Sequence, residues 1–285
     1  MTDAASNGLT TLSDLVSLAG RRAIVTGGAQ GFGYAISRRI AEAGADVIVA
    51  DRDAAAAHRA SARLVAEGWS ATSHQVDVAD ETSVELLFDA VGAVDILVNN
   101  AGVFSNFLVT AMPAAEFRRV IDVNVTGTFL CSRTMARQLR ARDGQGVIVN
   151  IASVDAVAPS AEGLAHYTTS KHAIAGLTRT MAMELAPLGV RVNAVCPGAS
   201  MTEGAIALVT AGAPEGIDVA AQWEGIKGRT PLGRLCDPDD VARAVLFLAS
   251  DLGAFVTGIL LPVDGGILVQ PLEGYIGGTT TAEAP

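Results

Sequence analysis

The sequence predicts an α/β fold: one domain on a doubly wound parallel sheet of about seven strands, with helices on both faces. Three observations predict it. Short β-branched apolar runs alternate with longer amphipathic runs over residues 21–263, the order that gives parallel strands joined by crossover helices. A glycine-rich turn, Gly27-Gly28-Ala29-Gln30-Gly31-Phe32-Gly33, stands between the first strand and the first helix. No repeat and no linker divides the chain, and 285 residues can bury a core without metal or disulfide staples.

Each element follows from its residues. Residues 1–20 are largely Ser, Thr and Ala with one Asn, and carry an apolar patch at Leu12, Leu15, Val16 and Leu18. They read as a mobile leader ending in one turn of surface packing. Residues 21–26 (RRAIVT) form the first strand, and 34–43 a helix after the glycine turn. Strand, glycine turn and helix are the setting of a phosphate cradle. Glycines let the backbone bend and approach a pyrophosphate, and the helix N-terminus offers free N–H groups and a positive dipole end. The spacing here is Gly-x3-Gly-x-Gly, which departs from the usual GxGxxG fingerprint.

The second strand, 46–50 (DVIVA), ends at Asp51. An acidic residue about 20 positions past the glycines is where an adenosine ribose 2′-hydroxyl is held. A carboxylate there accepts from the hydroxyl and repels a 2′-phosphate, and residues 27–33 hold no Lys or Arg to offset it. This points to NAD rather than NADP. Arg52 is adjacent and could pair with a 2′-phosphate, which leaves NADP open.

A helix over 54–67, a strand over 70–76 leading to Asp77-Val78, and a helix over 81–90 come next. The buried strand 94–98 (VDILV) runs into Asn99-Asn100-Ala101-Gly102. Small and amide residues at the carboxyl end of a central strand sit where open α/β sheets bind ligands, although the same four residues also suit a plain turn. Residues 114–140 have helical spacing, but Asn124 and Gly127 in mid-helix cost stability relative to Ala. Such a fault marks either close helix packing or a functional kink. Strand 146–152 (GVIVNIA) brings Ser153 to its end.

Strand 190–196 (VRVNAVC) precedes Pro197-Gly198. Residues 199–229 mix glycines, a proline and polar residues, and are long enough for a substrate lid. Asp237-Pro238-Asp239-Asp240 opens a helix to 249 with an N-cap and an acidic first turn. Residues 258–263 are the last strand, and Asp264-Gly265-Gly266 turns the chain. Residues 267–285 carry an apolar patch (Ile267, Leu268, Val269) and then a Gly/Thr/Ala tail.

Composition narrows the function. The net charge of −10 argues against nucleic acid and anionic membrane as partners. No apolar run reaches the roughly 18 residues of a membrane span, and residues 1–20 lack the pattern of a secretory signal. Cys131, Cys196 and Cys236 are far apart, which suits thiols in a reducing cytoplasm and excludes a disulfide framework or a CxxC metal site. A soluble cytoplasmic protein without metal is expected.

The chemistry centres on His166-Tyr167-Thr168-Thr169-Ser170-Lys171, which opens an apolar helical run to Leu185. Tyr167 and Lys171 are four apart, so a helix puts both on one face. A phenol has a pKa of about 10. An ammonium within roughly 4–6 Å favours phenolate and would lower that value, so the pair could exchange a proton with an alcohol or ketone. Ser153 and Tyr167 could then face one cavity. His166 reads as a plain neighbour of Tyr167 rather than a second base.

Together these residues resemble the classical short-chain dehydrogenase/reductase family over about residues 20–266. Thr26-Gly27 with Gly31 and Gly33 is similar to its TGxxxGxG turn, Asn99 to Gly102 to its NNAG segment, and Tyr167 to Lys171 to its YxxxK. Pro197-Gly198 with Thr202 is similar to its PG motif and the threonine after it. Each motif is short; their joint order is specific. The resemblance implies a Rossmann-like fold and a tetrad. Tyr167 would be the acid–base group. Lys171 would lower its pKa and hold the nicotinamide ribose, Ser153 would bind the substrate oxygen, and Asn124 would hold a water in a relay through Lys171. It also implies a cofactor seat at Gly27, Gln30, Gly31, Phe32, Gly33, Asp51, Arg52, Asp77, Val78, Asn100, Ala101, Gly102, Pro197, Gly198 and Thr202, shared with Tyr167 and Lys171. A homotetramer built through the Asn124 and Tyr167 helices and the last strand is implied too.

The domains expected are a leader (1–20), one cofactor-binding and catalytic domain (21–266, with 199–229 as lid) and a tail (267–285). The reaction expected is NAD-dependent interconversion of a secondary alcohol and its ketone. Pocket candidates are Ser153, Val154, Asp155, Leu164, Tyr167 and, beside them, Val103, Phe104 and His166. They are mostly apolar, which favours a cyclic or medium-sized hydrophobic substrate over a sugar or polyol. An NADPH-dependent ketoreductase is a further alternative. A non-redox lyase or a cofactor-sensing binding protein fits less well, because the glycines and Lys171 are intact.

Overall fold

The computed structural model describes residues 10–206 and 219–270. Seven parallel strands form one sheet: β1 Arg22–Thr26, β2 Asp46–Asp51, β3 Ala71–Gln75, β4 Ile96–Asn99, β5 Gly146–Ile151, β6 Val190–Pro197 and β7 Leu260–Val263. Their order is β3-β2-β1-β4-β5-β6-β7. The helices are α1 Leu12–Val16, α2 Gly31–Glu42, α3 Ala54–Ala66, α4 Glu81–Val91, α5 Ala114–Ile121, α6 Gly127–Ala141, α7 Ala165–Leu185, α8 Val219–Arg229 and α9 Pro238–Ala249.

The central strands are apolar at nearly every position because both faces are covered. Successive side chains alternate between faces, so each strand feeds two cores. Val25, Val49, Val98 and Val149 pack with Ile36 and Ile40 of α2, Leu64 of α3 and Val245 of α9. Their neighbours Ile24, Ile48, Leu97 and Ile148 pack with Phe88 of α4, Met135 of α6 and Met181 of α7. Asp53, Asp80 and Asp237 cap α3, α4 and α9, with a capping box at the last. Arg39 of α2 grips Asp239 of α9 through two hydrogen bonds.

The helix expected over 114–140 is divided. A π-helical turn, Asp122–Thr126, separates α5 from α6. The fault coincides with a π-helical turn and with close packing. The Asn124 side chain leaves the helix to bond residue 103, and a Cβ at Gly127 would lie 2.7 Å from Val78 Cγ2. The first helix starts at Gly31 rather than 34, since Gln30 is extended and the chain turns at once. In the expected leader, α1 buries no residue, and Leu18 alone of that apolar patch reaches the core. Residues 1–9 of the leader, 207–218 of the lid and 271–285 of the tail lie outside the described residues. Among the described residues no helix is long and apolar enough to cross a membrane, and no His/Cys/Asp/Glu group could hold a metal.

Candidate active site

Strand order reverses between β1 and β4, and such a switch point opens a crevice at the strands' carboxyl ends. A cleft of about 390 Å³ lies there. Gly27, Gln30, Gly31, Phe32 and Gly33 line it from the turn, Asp51 and Arg52 from the end of β2, and Asp77 and Val78 from beyond β3. Asn100, Ala101 and Gly102 line it from β4, and Pro197, Gly198 and Thr202 from β6. Every residue expected to seat a cofactor therefore borders one space.

The turn is pinned from both sides. Thr26 Oγ1 accepts from the Asn100 and Ala101 N–H groups, each at 3.1 Å. The Asn100 amide donates to the carbonyls of Thr26 at 3.0 Å and Gly27 at 2.9 Å. A Cβ at Gly33 would stand 2.0 Å from the Gly27 carbonyl oxygen, so only glycine lets α2 approach the turn this closely. No side chain caps α2, and its N-terminal N–H groups suit a pyrophosphate. The cradle fits a dinucleotide. Asp51 accepts from the Ala29 and Asp53 N–H groups at 3.3 and 3.1 Å. That fixes its carboxylate at the cleft, while the exposed Arg52 guanidinium has no partner among the described residues.

Ser153, Tyr167 and Lys171 share the opposite wall. Ser153 follows β5, and Tyr167 and Lys171 lie on the first turns of α7, one turn apart as their spacing requires. The Lys171 ammonium is buried, 5.3 Å from the Tyr167 ring centroid, and donates to the Ile151 carbonyl at 2.8 Å. Burial pulls its pKa down to about 8. The Phe104 ring covers Tyr167 with centroids 5.4 Å apart. The phenol does not have the lowered pKa that its lysine neighbour suggests. Burial dominates and pushes it well above the usual range, against the pull of the Ser153 hydroxyl; Asp155 and Cys196 push it further. A phenol so placed keeps its proton at neutral pH and can donate it to an oxygen in the cleft.

Asn124 does not line the cleft. It is buried, and both amide hydrogens are used, on the Val103 carbonyl at 3.0 Å and Ser170 Oγ at 2.9 Å; its Oδ1 accepts from the Val103 N–H at 2.8 Å. Its side chain braces residue 103 and α7. Val154, Asp155 and Leu164 also lie off the cleft lining, while Val103 and Phe104 line it. Asp155 is buried and accepts from Ser153, Ser160 and Thr168. His166 is buried and bonds Ser105 Oγ at 2.7 Å, and Ser105 donates to Glu116 at 2.6 Å. Since Ser105 gives its hydrogen to Glu116, His166 is the donor in that pair, through Nε2–H. His166 does not line the cleft.

Sequence reasoning passed over the Ile151 carbonyl and Glu203, which also border the site. A main-chain oxygen carries no residue signal, and Glu203 stands in no motif.

A family model described as enoyl-(acyl carrier protein) reductase matches residues 27–268. The chain is 39% identical over 255 residues to a cis-4-hydroxycyclohexanecarboxylate dehydrogenase of Sinomonas cyclohexanicum, covering 88% of this chain and 97% of that one. It is 43% identical over 249 residues to a 4-formylbenzenesulfonate dehydrogenase of Comamonas testosteroni, covering 86% and 96%. Among solved structures, a gluconate 5-dehydrogenase from Burkholderia cenocepacia J2315, in complex with NADP and tartrate, superposes with a TM-score of 0.84 at 35% identity, covering 92% of this chain and 100% of that one.

Proposed function

Because this chain belongs to the short-chain dehydrogenase/reductase family, we propose that it moves hydride between NAD and a secondary alcohol or its ketone. The observation that carries this reading is the meeting of Ser153, Tyr167 and Lys171 on the wall of the glycine-turn cleft. A bound nicotinamide supplies the hydride donor or acceptor. Tyr167 gives its proton to the ketone oxygen in reduction and takes it from the alcohol in oxidation, a role that supplies about 10²–10⁴ in rate. Ser153 holds the substrate oxygen beside the phenol. Lys171 holds positive charge next to both and binds the nicotinamide ribose.

NAD is the cofactor favoured by the Asp51 carboxylate, which meets a 2′-hydroxyl well and a 2′-phosphate badly. The specific observation on the other side is Arg52 beside it, whose guanidinium has no partner among the described residues, together with the NADP held by the gluconate dehydrogenase. Phe104 and Val103 give the cleft an apolar wall, which favours a cyclic or medium-sized hydrophobic substrate; the dehydrogenase acting on a cyclohexanecarboxylate supports this. A sugar acid is the second reading, supported by the gluconate enzyme. Residues 21–266 act as one cytoplasmic catalytic domain with 199–229 as its lid. The chain works as a homotetramer, for which exposed Phe129 on α6 and Met183 on α7 offer apolar contact.

The test is nicotinamide absorbance with cyclic alcohols, steroids and sugars, each offered with NAD and with NADP. Reduction of NAD by a hydroxyl substrate is expected. No absorbance change with any alcohol or ketone would overturn the proposal.

A further inference from the structure

Asp155 stands two residues past Ser153, in the single turn Val154–Ala156. It is 3% exposed, and among the described residues no Lys or Arg pairs with it. A buried carboxylate without a cation needs hydrogen-bond donors, and this one has four. Oδ2 accepts from Ser153 Oγ at 3.1 Å and Ser160 Oγ at 2.7 Å; Oδ1 accepts from the Ser160 N–H at 3.1 Å and Thr168 Oγ1 at 2.8 Å. Its own N–H donates to Ser153 Oγ at 3.1 Å. Thr168 directly follows Tyr167. One carboxylate therefore ties the end of β5 to the first turn of α7, the two segments that carry Ser153 and Tyr167.

The donors also set a direction. A carboxylate only accepts, so the single Ser153 hydroxyl hydrogen points at Asp155 until a substrate oxygen competes for it. One Ser153 lone pair accepts from the Asp155 N–H, and Ser153 lines the cleft together with Tyr167. The Ser153 hydroxyl therefore donates to the Asp155 carboxylate and accepts from the Asp155 N–H, so residue 155 holds it from both sides.

We propose that Asp155 is a positioning residue of the active site, whose carboxylate orients the Ser153 hydroxyl and holds it against Tyr167. It acts through Ser153 and does not contact substrate, and the proposal rests on the reading of Tyr167 as the acid–base group. The titratable groups facing that phenol are Asp155 from the turn after β5, Cys196 from β6 and Lys171 on α7 itself. Burial keeps the Cys196 thiol protonated, pushed up to about 11. The Asp155 carboxylate opposes phenolate.

The experiment measures kcat and kcat/KM for alcohol oxidation against pH, with cofactor affinity by fluorescence titration, in wild type, D155A, D155N, T168V and Y167F. D155A loses about tenfold to a hundredfold in kcat, the scale of a misplaced reacting group, with cofactor affinity unchanged. D155N keeps an acceptor for Thr168, and its neighbouring hydroxyls can turn to accept; it recovers most of kcat. Its pH midpoint falls by roughly half a unit or more, because a like charge has left the phenol's surroundings. T168V removes a donor but no charge and leaves the midpoint in place. If Y167F is inactive and the D155N midpoint stays at the wild-type value, or moves no further than that of T168V, the proposal for Asp155 falls. If Y167F stays active, the reading of Tyr167 falls instead.

Discussion

Lys171 donates a 2.8 Å hydrogen bond to the Ile151 carbonyl, so the cation beside Tyr167 is anchored to the end of β5. That bond fixes the amine but does not repay its burial, and the pKa drops from 10.5 to about 8. Between about pH 8 and 10.5 the folded chain has lost a proton that the unfolded chain still holds. Wild-type stability therefore gains from this group as pH rises through that window. Lys171→Met removes the buried charge. It is expected to unfold later in urea than wild type at about pH 7, by up to about 3 kcal/mol, and the gap is expected to close towards about pH 10. A gap that does not change with pH would show that the amine is not the buried cation described here.

Tyr167→Phe removes the proton but keeps the ring against Phe104, whose centroid is 5.4 Å away. Turnover should fall at least about a hundredfold, with NAD binding kept within about twofold. Steady-state rates and a nucleotide fluorescence titration measure both. More than a tenth of wild-type turnover would end the acid–base assignment.

Gly33→Ala puts a methyl 2.0 Å from the Gly27 oxygen and 2.6 Å from the Asn100 amide nitrogen, and both belong to pinned segments. The turn must shift, at a cost of about 1–3 kcal/mol or more. A lower melting temperature and weakened cofactor binding should appear together. Wild-type values of both would mean that the turn yields freely.

Asp51→Ala removes the carboxylate from the end of β2 together with its bonds to the Ala29 and Asp53 N–H groups. Arg52 then faces the ribose alone. The ratio of kcat/KM for NAD over NADP should fall at least about tenfold, since an ionic repulsion becomes an attraction. An unchanged ratio in steady-state kinetics would count against NAD selection by Asp51.

Much of the fold was legible because its signals are local. The run RRAIVT, the glycine turn and VDILV each declare themselves within a few residues, and the structure departs from them only at element ends. The π-helical turn at Asn124 was legible only as a fault. Its cause, a pair of hydrogen bonds to residue 103, lies 21 positions away. Asp155 stood among the candidates for the substrate pocket. Four donors brought from residues 153, 160 and 168 turn it inward.

The sequence by itself determined the parallel sheet, the phosphate turn and the shared face of Tyr167 and Lys171. Strand runs, glycines and an i,i+4 spacing act over a single turn or strand. Tertiary structure alone decided how those groups ionise and where their hydrogens go. Desolvation and hydrogen-bond partners depend on what distant segments carry into the site: Ile151 for Lys171, Cys196 and Asp155 for Tyr167, and residue 103 for Asn124.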